Sequence, residues 1–345
     1  MKRSVLAAIV LTTMLAGCGP EDGSGYNLAS ANTSAGQEIL EPVNYAPGAL
    51  DAPPAFPPKE APRLNRFIPV RAGRYIEWTY RDHQKPVGYR MGEMTVVVRG
   101  PESPPLGYSG ANFDPVYRQV RVKARGRPEY VHETETGAGL PTLLGYGHFD
   151  RDGTPFLVMQ TETGGNQCCG ELDLFIVRPK HIEHVEIGAF SSNGPPDVRD
   201  ADGDGLADFI VPDGSFLNHF TGAASGRVAP KILNVVGGEV RDVSDRAGFR
   251  PLFAEAAQEL RRECLHPGGI EPNSACAAYV ASAARAGDFR KAWAEMLTAY
   301  DRKSKTGLQC RLSLPDESCP SSDLTYATYP DALRAFLREQ GFPTR

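Results

Sequence analysis

The sequence predicts an α+β protein, mainly antiparallel β in its first folded part and helical in its last, and three observations predict it. Apolar and polar residues alternate with period two at several places between Phe67 and Val236, the pattern of half-buried antiparallel strands. Apolar spacing of three and four residues is confined to the chain after Ala247, and strands and helices do not alternate as in a βαβ fold. Among the 345 residues, Gly 36 and Pro 29 are too many for a mostly helical protein, while 41% hydrophobic residues suffice for a core. A sandwich or an incomplete propeller-like stack of hairpins fits the β part. Lys+Arg 37 against Asp+Glu 42 gives a net charge of -5, so nucleic acid is excluded as the expected partner.

The first element, residues 1–17, has a basic start at Lys2 and Arg3, an apolar stretch from Val5 to Leu15 too short for a stable membrane span, and the closing tetrad Leu15-Ala16-Gly17-Cys18. This segment resembles the bacterial lipoprotein signal peptide with its lipobox. The resemblance implies cleavage before Cys18, acylation of Cys18 and stable membrane anchoring. Residue 19 is Gly rather than Asp, which in that family's sorting logic implies an outer-membrane lipoprotein, periplasmic or surface-facing. Residues 18–63 are rich in Gly, Ser, Asn, Ala and Pro and end in Ala52-Pro53-Pro54-Ala55-Phe56-Pro57-Pro58; they read as a disordered tether.

Residues 64–246 read as the β domain. Ile76, Trp78 and Tyr80 alternate with Tyr75, Glu77 and Thr79, and Val116, Val120 and Val122 alternate with Tyr117, Gln119, Arg121 and Lys123. Further strands are expected at Met94 to Arg99, Phe156 to Gln160, Leu172 to Val177, His184 to Ile187, Asp208 to Val211 and Lys231 to Val236, separated by turns such as Gly100-Pro101 and Gly194-Pro195-Pro196.

Within this domain Asp200-Ala201-Asp202-Gly203-Asp204-Gly205-Leu206-Ala207-Asp208 places carboxylates at positions 1, 3, 5 and 9, with Gly at 6 for a tight turn. Such a loop suits an oxygen-loving cation, and the crowding of carboxylates points to Ca²⁺. Val211 stands where an EF-hand has its bidentate Glu, and Asp208-Phe209-Ile210-Val211 runs straight into a strand. The loop therefore resembles the calcium loops of FG-GAP or VCBS-type repeat proteins. That resemblance implies Asp200, Asp202, Asp204 and Asp208 as side-chain ligands and Leu206 as a carbonyl ligand. A second loop, His148-Phe149-Asp150-Arg151-Asp152-Gly153, aligns on its Asp-Gly pair but has His148 for Asp200 and Phe156 for Asp208. It reads as a decayed copy, with Asp150 and Asp152 as a weak second metal loop.

Seven Cys partition into one anchor, Cys18, and six staples, Cys168, Cys169, Cys264, Cys276, Cys310 and Cys319, as expected in an oxidising compartment. Adjacent Cys168 and Cys169 are expected to form structural disulfides, and a redox site is disfavoured because no C-x-x-C on a βαβ frame is present. The last four Cys allow three pairings; Cys264 with Cys276 and Cys310 with Cys319 close the shortest loops. Residues 247–345 read as helical. Helices are expected at Pro251 to Glu263 and Pro330 to Gln340, with a hairpin about Ala286-Gly287-Asp288 between them. Ala277, Val280, Ala281 and Ala284 line its first helix; Phe289, Trp293, Met296, Leu297 and Tyr300 line its second, opened by Asp288 as N-cap.

Catalytic patterns are missing: Gly107-Tyr108-Ser109-Gly110-Ala111 lacks the last Gly of a nucleophile elbow, there is no HExxH, and His181 and His184 sit three apart in an expected strand. No catalytic residue is assigned. The favoured class is a calcium-stabilised envelope lipoprotein, a non-enzymatic binding or structural module whose partner is the membrane, through Cys18, and an envelope protein or glycan. The alternative is a secreted hydrolase whose site is assembled from distant residues.

Overall fold

The computed structural model describes residues 64–344, apart from 65, 102–108, 110, 112–113, 166–167, 192–193, 221–225, 269–270 and 313. The expected signal peptide, Cys18 and tether lie outside the described residues, as do most of Gly107–Ala111 and the side chains of Cys168 and Cys169. The strands are β1 (Ile68–Val70), β2 (Tyr75–Trp78), β3 (Val87–Met91), β4 (Met94–Arg99), β5 (Pro115–Ala124), β6 (Tyr130–Gly137), β7 (Thr142–His148), β8 (Pro155–Gly165), β9 (Cys168–Val177), β10 (Ile182–Phe190), β11 (Asp197–Arg199), β12 (Asp208–Pro212), β13 (Pro230–Val236) and β14 (Glu239–Asp242). They form three sheets: β1-β3-β4-β5-β6, β10-β9-β8-β7-β2 and β11-β12-β13-β14. Among the described strands every pairing is antiparallel except β1 with β3.

Alternation of side chains across each strand sorts the apolar residues into layers. Val96 and Val98 of β4 and Val120 and Val122 of β5 meet Leu144, Leu157, Met159 and Phe175 of the second sheet, with Trp78, in one core. On the opposite face of the second sheet, Val158, Leu174, Ile176 and Val185 pack against Phe209, Val211, Leu233 and Val235 of the third. The second sheet is thus buried on both faces, and its β8 and β9 carry near-continuous apolar runs for that reason. Arg118 breaks the apolar face of β5: it is fully buried, with its guanidinium 5.1 Å from the Trp78 ring centre. It donates to the carbonyl oxygens of Gly137 (2.9 Å) and Leu140 (2.5 Å) and to the Thr142 hydroxyl. Its terminal nitrogens are thereby paired while its buried Nε has no hydrogen-bond partner among the described residues, so these acceptors and the Trp78 ring offset only part of the cost of burying the cation.

Four α-helices follow the strands: α1 (Arg250–Leu265), α2 (Pro272–Ala286), α3 (Phe289–Ala299) and α4 (Tyr329–Glu339). Phe253 of α1 packs with Phe249, Val243 and Ile232, which ties the helices to the third sheet. The small-residue face expected on the first hairpin helix is real and wider than a stripe, since α2 is buried from Asn273 to Arg285. Small side chains permit that by letting other backbones approach on every side. Gly287, at φ 99°, ends α2 in the left-handed conformation that glycine adopts without a Cβ penalty. Two expectations for α3 need correction. Asp288 holds the N-cap position but makes no side-chain capping bond. Leu297 is 39% exposed while Ala292 is buried, because 289, 292, 293, 296 and 300 form one helical stripe and residue 297 sits a step around the axis. Disulfides join Cys264 to Cys276, across α1 and α2, and Cys310 to Cys319, in the loop before α4. No helix among the described residues is long and apolar enough to cross a membrane.

Candidate metal centre in the Asp-rich hairpin

Strands β11 and β12 form an antiparallel hairpin closed by the Arg199–Asp208 pair, and the Asp-rich segment is its loop. Gly203 and Gly205 have φ 77° and 86°, in the left-handed region. Gly205 is further constrained by space, since a Cβ there would lie 2.1 Å from the Arg151 side chain. Each carboxylate is aimed by backbone amides of the loop. Asp200 accepts from the N–H of Gly203 (2.8 Å) and of Gly205 (3.1 Å), Asp202 from Asp204 N–H (3.0 Å), and Asp204 from Leu206 N–H (2.8 Å). Asp208 is fully buried and accepts from Ala201 N–H at 2.7 Å and from the Asn234 side-chain amide at 2.6 Å.

The structure brings together one ligand oxygen each from Asp200, Asp202 and Asp208, all within 4.8 Å of one another. It does not add Asp204 to that group: its second oxygen is 3.1 Å from the Arg246 guanidinium, which also donates to the Asn234 side-chain oxygen at 3.1 Å. Burial pushes the Asp208 carboxyl above its ordinary pKa; the bonds from Ala201 and Asn234 oppose this, and the charges of Asp202 and Asp204 add to it. An all-oxygen donor set under mutual repulsion is suited to a hard cation of flexible coordination, so the residues fit Ca²⁺.

The loop expected to be a decayed copy lies alongside the first. Its Phe149 carbonyl accepts from Ala207 N–H at 2.9 Å, and Arg151 donates to the Gly203 carbonyl at 2.9 Å. Asp150 spends its two oxygens on the backbone N–H and hydroxyl of Thr154, at 3.0 and 2.7 Å. Burial raises the Asp150 carboxyl, but these bonds win and hold it below the usual range. Neither Asp150 nor Asp152 joins a group of convergent ligands among the described residues.

Residues 253–341 match the family described as sll0997 C-terminal domain. The match covers the helical part of the chain, from within α1 to just past α4. The chain is 34% identical over 204 residues to the "probable thylakoid lumen protein sll0997" of Synechocystis sp., across 58% of this chain and 60% of that protein. It is 26% identical over 191 residues to the "uncharacterized protein y4bJ" of Sinorhizobium fredii, across 54% of this chain and 30% of that protein. The chain thus spans less than two thirds of either relative, and the similarity to the Synechocystis protein extends beyond the helical part. No solved structure matches the chain.

Sequence reasoning missed Asn234 and Arg246, which brace the loop from β13 and from the turn after β14; nothing in their local sequence marks them. It also missed His132, Asp173 and His184, whose ligand atoms lie within 4.8 Å of one another. His181, paired with His184 in the sequence reading, lies just outside β10 and is exposed, so only His184 reaches that group.

Proposed function

We propose that the chain is a calcium-stabilised exported lipoprotein, a non-enzymatic binding or structural module held at a membrane through Cys18. The observation that carries the calcium reading is the convergence of Asp200, Asp202 and Asp208 in a loop whose amides pre-aim their carboxylates. Export is supported by two disulfides, which persist in oxidising compartments, and by a relative named for the thylakoid lumen. The lipid anchor rests on the Leu15-Ala16-Gly17-Cys18 tetrad.

Thermal melting with Ca²⁺ and with EDTA tests the calcium reading. At about tenfold excess over Kd, Ca²⁺ stabilises the fold by about 1.4 kcal/mol, a rise in Tm of about 3 °C for a domain of this size. Asp202→Asn abolishes the rise and Asp204→Ala, which removes a neighbouring carboxylate outside the group, reduces it. Equal melting at millimolar Ca²⁺ and in EDTA overturns the reading. The anchor is tested separately: Cys18→Ser protein should lack the acyl chains and keep its unprocessed mass, and a variant with the processed mass and membrane partitioning of the unaltered protein overturns the anchor.

A further inference from the structure

The core between the first two sheets turns polar at one edge. On its inward face, β9 carries Phe175, then Asp173, then Glu171; on β10, His184 lies opposite Phe175 and Glu186 opposite Asp173. From the facing sheet, β6 contributes His132, the cross-strand partner of the buried Val120. Asp173 Oδ1 is 2.7 Å from His184 Nε2 and Asp173 Oδ2 is 3.9 Å from His132 Nε2. The two imidazoles are 4.9 Å apart between centres.

Three features separate this group from an ordinary buried hydrogen bond. First, a cavity of about 350 Å³ opens onto it; among the described residues its lining includes Glu133, Glu171, Asp173 and Glu186 but neither Lys nor Arg. Carboxylates directly opposite one another on a sheet, as Asp173 and Glu186 are, destabilise it unless a positive charge is supplied. Second, the inner wall is apolar and aromatic: Phe175 stacks on His184 at 4.9 Å and meets His132 edge-on at 5.5 Å, with Tyr130 at 5.6 Å from His184. A hydrophobic wall on one side and an open mouth on the other fix ligands while leaving access for a metal or a further ligand. Third, the spacing is right. The ligand atoms of all three residues lie within 4.8 Å of one another, and the contacts of 2.7 and 3.9 Å from the two Asp173 oxygens fall either side of the about 3.3 Å that separates two ligand atoms about 2.0 Å from a tetrahedral Zn²⁺.

We propose that His132, Asp173 and His184 form a binding site for a divalent transition-metal ion of the zinc class, with its remaining coordination position facing the cavity. Two imidazole nitrogens favour such an ion over Ca²⁺, which takes oxygen. The metal takes the place of the hydrogen between His184 Nε2 and Asp173 Oδ1, and the ligating neutral ring carries its single proton on Nδ1. The site is independent of the Asp-rich loop and of the calcium reading.

Calorimetric titration of metal-free full-length chain with ZnSO₄ tests this. One equivalent should bind with Kd of about 1 μM or tighter, and millimolar Ca²⁺ should not displace it. The double variant His132→Gln with His184→Gln should lose affinity by about 100-fold or more, whereas Asp202→Asn should keep the equivalent. On unaltered protein, Zn²⁺ should protect His132 and His184, but not exposed His181 and His266, from carbethoxylation by diethylpyrocarbonate read by peptide mass spectrometry. This second measurement needs no variant to fold. Absence of a stoichiometric equivalent, its persistence in the double variant, its loss in Asp202→Asn, or protection that ignores His132 and His184 overturns the proposal.

Discussion

Asn234 shows how one buried side chain sets the state of the candidate calcium loop. It is fully buried in β13, and its amide donates to Asp208 Oδ1 at 2.6 Å and to the Ala207 carbonyl at 3.2 Å while its oxygen accepts from Arg246. Without it, Asp208 keeps its burial and loses a donor, and Arg246 loses one of the two oxygens that place it beside Asp204. Asn234→Leu fills similar space but supplies no polar atom, so it should cost about 1–3 kcal/mol and shrink the Tm increment produced by Ca²⁺. Melting curves with Ca²⁺ and with EDTA measure both effects; wild-type Tm in EDTA would show that these bonds contribute nothing. Residues of this kind are illegible in a sequence because the run Lys231 to Val236 reads as a strand with or without an Asn inside it. The loop itself was legible, since its carboxylates are contiguous and alternate with glycines. The His132, Asp173 and His184 group was not, because three strands supply one ligand each and His132 comes from a strand of the facing sheet, remote in sequence from the other two.

Among the helices, Glu295 of α3 is the joint that holds three elements together. Arg261 of α1 donates to it at 2.6 and 3.0 Å, and the Tyr279 hydroxyl of α2 donates at 2.6 Å. The Arg261 bond first, and the Tyr279 bond next, hold the Glu295 carboxyl at about 2, below its ordinary 4.5. Because the folded-state pKa is depressed, ionised Glu295 stabilises the fold fully above its unfolded value, and that contribution drains away as pH falls through 4.5 towards 2. Glu295→Gln should therefore cost about 1 kcal/mol at neutral pH through the weakened Tyr279 bond, and should flatten the loss of stability across that acid window. Urea unfolding at neutral pH and at two acidic values distinguishes this from a bridge of no consequence, for which both profiles would run parallel. The helices carrying this joint were legible from their apolar spacing and from Gly287. Strand β6 was not, because its inward positions are Tyr130, His132, Thr134 and Thr136, so the polar edge of the sandwich erases the hydrophobic alternation that marks β4 and β5.

At the scale of the whole molecule, the sequence separates a β part from a helical part at residue 247, yet the cores run across that boundary. The third sheet gives Phe209, Val211, Leu233 and Val235 to the core shared with the second sheet, and Ile232 to the cluster containing Phe249 and Phe253. Phe216, Phe220 and Ala229 likewise pack among the residues of α2 and α4. Stripping the helices away would expose these apolar side chains, at about 1.5–3 kcal/mol for each large one, which is a large fraction of a typical domain's stability. The layers should therefore unfold together. Two tryptophans make this testable, since Trp78 is buried between the first two sheets and Trp293 lies on α3. In Trp293→Phe protein the remaining fluorescence reports the sandwich, while far-ultraviolet ellipticity is weighted towards the helices. One urea midpoint shared by both signals is expected from cores that interlock in this way. A helical transition at lower urea, with Trp78 fluorescence unchanged, would mean that the third sheet remains folded after its outer face is bared, and the boundary at residue 247 would then divide two cooperative units.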